Sequence, residues 1–99
     1  MEGRKFQNHK FITLGVYERI PEPLQLLLWL MVDDLKEQDY LQIFDLQKTV
    51  DGVLICHSQE VPPYENVVKV QCEAEFGFKE KVYIIDDETH STMLLAEEY

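Results

Sequence analysis

"PLQLLLWLMVDDLKEQ" (23–38) carries apolar side chains at nine of the twelve positions from Leu24 to Leu35. A helix on the surface of a soluble protein needs a single apolar stripe, so the surplus here must be covered by something. At about 100° per residue, Leu24, Leu27, Leu28, Met31 and Leu35 fall in one stripe roughly 100° wide, which is expected to face a sheet. Leu26, Trp29 and Leu30 fall on the far side, joined towards the C-terminal end by Asp33, Lys36 and Glu37. Pro23 suits the first turn of such a helix, where an N–H would be unpaired in any case. Glu22 places a carboxylate near the positive end of the helix dipole. One long helix, from about Glu22 to about Gln38, is the expectation.

The segments on either side read as strands. "KFITLGV" (10–16) is β-prone, with Gly15 next to its end. "DYLQIFDLQ" (39–47) and "GVLICHSQE" (52–60) flank Asp51-Gly52, a strong hairpin signal because both residues tolerate positive φ. "VPPY" (61–64) interrupts the ladder, since proline has no N–H to donate. In "NVVKVQC" (66–72), Val68, Val70 and Cys72 alternate with Lys69 and Gln71, the pattern of a strand with one wet face. "EFGFKE" (75–80) reads as a turn. "KVYIID" (81–86) is apolar on both sides, the pattern of a central strand. After the turn "DETHS", "TMLLAEEY" closes the chain as a strand or docked tail. The order β-α-β-β-β-β-β defines an α+β fold: a mainly antiparallel sheet of about five to six strands packed on one long helix. Residues 1–99 are expected to form a single domain, in which folding hides roughly 65% of the extended chain's surface.

Nineteen acidic against nine basic residues give a net charge of −10. Residues 1–20 carry a net +2, so the rest of the chain holds −12. Nucleic-acid affinity comes largely from Lys and Arg displacing counterions, and the acidic body disfavours it. Such a charge keeps a small protein soluble by self-repulsion, or suits a basic protein partner or mimicry of a nucleic acid. Cys56 and Cys72 are too few for a secreted disulfide framework and form no C-x-x-C pair. They are expected in the core, and the cytoplasm is the expected compartment. No apolar run approaches the roughly 20 residues of a membrane-spanning helix.

Catalytic and metal motifs are weak. Cys56 and His57 invite a thiol–imidazole reading, but neighbours on a strand point to opposite faces, which makes a structural histidine the better assignment. "IDDETH" (85–90) gathers Asp86, Asp87, Glu88 and His90, yet it matches neither the calcium-loop nor the H-E-x-x-H spacing. No phosphate-cradling or nucleophile-elbow motif is present. "HSQEVPPY" (57–64) could line a groove for a peptide or small ligand through His57, Gln59 and Tyr64. No catalytic residue, metal or cofactor is assigned.

Together, "LGVYERIPEPLQLLLWLMVDDL", "DYLQIFDL", "HSQEVPPY" and "YIIDDETHSTMLLAEEY" resemble a family of small acidic proteins from Gram-positive bacteria catalogued as a domain of unknown function. The likeness runs from Thr13 to Tyr99, and its most specific parts are the IP…Q…LW segment and the STMLL-x-EEY ending. Where the family's ending has proline, this chain has Ala96. The resemblance implies a compact cytoplasmic protein, and it brings no reaction, cofactor or catalytic residue.

A non-enzymatic interaction protein is therefore expected, with Leu26, Trp29 and Leu30 as its surface and either a protein partner or a second copy as occupant. The alternatives are a small ligand-binding or hydrolytic enzyme using the His57 groove and the Asp86-Asp87 turn, and an acidic inhibitor that imitates nucleic acid.

Overall fold

Alternating side chains build one six-stranded sheet, and the computed structural model describes residues 5–72 and 77–99 of the chain. The elements are β1 (His9–Ile12), α1 (Leu14–Arg19), α2 (Glu22–Asp33), β2 (Leu41–Thr49), β3 (Gly52–Gln59), β4 (Tyr64–Val70), β5 (Lys79–Asp86) and β6 (His90–Leu95), closed by a 3-10 turn at Ala96–Glu98. The spatial order is β1-β6-β5-β2-β3-β4. β1 lies parallel to β6, and the remaining pairs are antiparallel.

This overturns the expected α+β arrangement of a mainly antiparallel sheet packed on one long helix in the order β-α-β-β-β-β-β. The sheet is mixed, and its helical part is two short helices of 6 and 12 residues in place of one long helix. The first helix is hidden in the segment read as a strand through residue 16. Thr13 accepts from the Val16 N–H and caps α1. The far end of the chain completes the cap: Glu98 accepts from Thr13 Oγ1 at 2.6 Å and from the Gly15 N–H at 3.1 Å. A Cβ on Gly15 would stand 2.7 Å from the Glu98 carboxylate, so glycine serves here to admit a side chain. The second helix ends at Asp33 rather than near Gln38. Its last turn carries no basic residue and ends in Asp33, against the negative end of the dipole. Gln38 then returns to donate to the Val32 carbonyl at 2.8 Å, closing the end.

Both helices lie on one face of the sheet. Val16 and Ile20 of α1 and Leu24, Leu28, Trp29 and Val32 of α2 join Phe44, Leu46, Val53, Ile55, Val82, Ile84, Met93 and Leu95 in one core, together with Phe6. Relative to the expected stripe, α2 is turned by roughly one fifth of a revolution. Leu27 and Met31 are only half-buried at its margin, and Trp29 is drawn in.

The hairpin between β2 and β3 turns through Val50-Asp51, because Gly52 already pairs with Thr49. Gly52 is needed for a different reason from the one its sequence suggests: a Cβ there would run into the Val70 carbonyl oxygen on β4. Of the expected EFGFKE turn, residues 75 and 76 lie outside the described residues, and Lys79 and Glu80 already belong to β5. No helix among the described residues is long and apolar enough to cross a membrane.

Candidate functional site

Strand register brings His57, Gln59 and Tyr64 together at one end of β3 and β4, with Gln59 directly opposite Tyr64. The three are not equivalent. His57 is fully buried, stacked on Phe44 with ring centroids 4.3 Å apart and met edge-on by Tyr64 at 5.3 Å. Its Nε2 lies 2.7 Å from Gln42 Oε1. The Gln42 amide nitrogen is committed to Gln59 Oε1 at 2.6 Å and the Asp39 carbonyl at 2.9 Å, so its oxygen faces the ring and His57 Nε2 carries the hydrogen. His57 Nδ1 has no hydrogen-bond partner among the described residues. Burial lowers the imidazole pKa from 6.5 to about 4, leaving the ring neutral at physiological pH.

Gln59 is used up in the same network. Its oxygen also accepts from the Asp39 N–H at 2.9 Å, and its nitrogen donates to the Glu37 and Pro62 carbonyls at 3.0 and 2.9 Å. The chain His57–Gln42–Gln59 thus ties the segment after α2 and the Pro62 loop to the two strands, with both amides fully engaged and His57 Nδ1 left as its one buried atom without a partner among the described residues. An open groove of about 410 Å³ lies beside it, lined by Leu35, Gln59, Pro62, Pro63 and Tyr64 among others. His57 is not part of its lining, and the amide of Gln59 has its partners already. Cys56 points to the other face of the sheet, as strand alternation requires. Burial, then the Glu65 and Asp45 carboxylates, push its thiol above the ordinary value, which suppresses the thiolate. No cluster of His, Cys, Asp and Glu among the described residues has the geometry to hold a metal.

The candidate helix surface is divided. Trp29 is 9% exposed and packs in the core, with Lys10 Nζ 5.6 Å from its ring centroid. Lys10 reaches over it from β1, and its Nζ also donates to the Phe6 carbonyl at 3.0 Å. Leu26 and Leu30 remain 59% and 63% exposed, one turn apart.

A second apolar surface lies on the face of the sheet away from the helices. No outward residue of β2, β3, β4 or β5 is buried. Register sets Leu41 beside Ile85 and Ile43 beside Tyr83, with Leu94 next to Tyr83 and Phe11 across Thr92 from Ile85. Leu94 itself is 9% exposed, so the accessible patch is Phe11, half-buried Leu41, Ile43, Tyr83 and Ile85, and Tyr99 meets Tyr83 edge-on at its border. A one-sided sheet ordinarily carries polar residues there. The sequence held the signal in "KVYIID": Val82 and Ile84 enter the core while Tyr83 and Ile85 face outward. Two-sided apolarity indicated a central strand, and β5 does lie between β6 and β2, with the helices on one of its faces.

A small mixed-sheet protein with helices on one face and an apolar opposite face is the class that this geometry defines. Over residues 9–98 the chain matches the model of the family described as "Staphylococcal protein of unknown function (DUF960)", and it belongs to that family. A crystal structure of a protein of unknown function from Enterococcus faecalis is similar in fold, with a TM-score of 0.86, 24% identity, and 97% of this chain and 96% of that one covered. Comparison with curated proteins returns no match.

Proposed function

We propose that the protein acts by binding a protein partner on the open face of its sheet, through the patch formed by Phe11, Leu41, Ile43, Tyr83 and Ile85. The observation that carries this reading is the proximity of those side chains on β2, β5 and β1, with Thr92 of β6 between Ile85 and Phe11, on a face that neither helix covers. A contiguous apolar patch with a polar rim characteristically marks an interaction site. The rim near Ile85 is acidic, with Asp87 and Glu88 exposed, and the whole chain carries −10. The fitting partner is an apolar surface edged with Lys or Arg. In this reading the protein works in the cytoplasm, where its two free cysteines would stay reduced.

Site-specific photocrosslinking in the native cell tests this. A photoreactive residue at position 43 should give a discrete protein adduct, and the same group at exposed Glu60 should not. Absence of any adduct from position 43, with the variant folded, contradicts the assignment.

A further inference from the structure

β4 is an outermost strand, and among the described residues nothing pairs with its free edge. Seven residues of ladder, uninterrupted by proline, therefore present unpaired N–H and C=O groups, which form a template for another strand. The strand reads Tyr-Glu-Asn-Val-Val-Lys-Val, and its charges are placed symmetrically about Val67: Glu65 two residues before, Lys69 two residues after. All three point to the open side of the sheet, with Val67 56% exposed.

We propose that two copies of this chain associate by antiparallel β4–β4 pairing centred on Val67, which joins two six-stranded sheets into one continuous sheet. In that register Val67 meets its own copy, and Glu65 of each chain faces Lys69 of the other. Opposite charges directly across a ladder stabilise it, and like charges destabilise it. A slip of two residues in one direction places Lys69 opposite Pro63, and in the other it places Glu65 opposite Gln71; either slip loses both charge pairs. On the helix side the same register lays half-exposed Tyr64 over Val70 of the second copy. Inside one chain, Lys69 meets Asp51 at 3.1 Å and Glu65 lies 3.7 Å from Cys56, both at the surface, so neither contact holds these side chains strongly. The two-fold axis stands perpendicular to the sheet, and both open faces emerge on the same side. The pairing goes beyond the role assigned to the open face and does not depend on it.

Sedimentation equilibrium on the purified full chain at physiological salt tests the pairing through a charge exchange. The parent protein is expected to dimerise. Glu65→Lys alone or Lys69→Glu alone sets like charges opposite each other twice per dimer, and each should weaken association about tenfold or more. The double variant Glu65→Lys/Lys69→Glu restores both pairs and should dimerise as the parent does. A parent that stays monomeric at its highest soluble concentration overturns the proposal. So does a dimer indifferent to the single substitutions, or one that the double exchange fails to restore. None of these outcomes bears on the adduct at position 43, which tests the open face alone.

Discussion

Replacing Phe44 with alanine is expected to lower the unfolding free energy by about 4 kcal/mol, in the range found for large aromatic deletions from well-packed cores. Phe44 is fully buried in the middle of β2, opposite Val82 on one side and His57 on the other. Its ring lies almost parallel to the imidazole, at an interplanar angle of 16°. Removing it opens a cavity at the centre of the core and strips one face from the histidine. Strands on both sides hold the backbone, so the site has little freedom to collapse. Urea denaturation with an unchanged m-value would measure the loss as a shift of midpoint. A loss below about 1 kcal/mol would mean that the core closes over the gap, contrary to a rigid sheet beneath two short helices.

Acid is expected to weaken the fold through His57. In the folded chain burial holds this group near 4, while the unfolded chain titrates near 6.5. Below 6.5 the unfolded state therefore binds a proton that the native state refuses, and stability falls with pH until about 4 is reached. Between pH 7 and pH 5 the contribution lost is about 2 kcal/mol. Other groups titrate as well, since Asp51 and Glu98 are held below their ordinary values. For Asp51 the cause is Lys69. For Glu98 burial pushes upward, but hydrogen bonds from Thr13, Leu95 and Gly15, with Arg19 nearby, outweigh it. Those carboxylates lose stabilisation only as pH falls through the carboxylate range, below most of the histidine window. Comparing the pH dependence of stability in the parent and in His57→Gln isolates the histidine. The parent should lose about 2 kcal/mol more than the variant over that interval, and parallel curves would show that the imidazole protonates freely in the native state.

Much of the strand pattern was legible because it depends on neighbours in sequence. The alternation of Val68 and Val70, the proline break and the apolar run at 81–86 each follow from local steric rules. The helical region was legible in kind and misread in extent. The cap on α1 requires Glu98, 85 residues beyond Thr13, and no local pattern announces a carboxylate delivered from the far terminus. The rotation of α2 has the same origin. Periodicity fixes which residues share a stripe, but tertiary packing, with Lys10 over the ring, decides that Trp29 is covered while Leu26 and Leu30 are not. His57 and Gln59, singled out as possible groove residues, lie at one end of the sheet. Their part in a closed amide network depends on Gln42, which looks unremarkable in the sequence. The open face escaped notice because an apolar residue facing water and one facing a helix are identical letters on a strand; only the layer count separates them.

That layer count is open to direct chemical test. In a background carrying Cys56→Ser and Cys72→Ser, single cysteines at positions 84 and 85 report on adjacent residues of β5 that face opposite ways. Under native conditions a maleimide should modify Ile85→Cys readily and Ile84→Cys only after unfolding. Equal protection of the two thiols in the purified protein would mean that the chain covers its own outer face, and the binding surface would not exist.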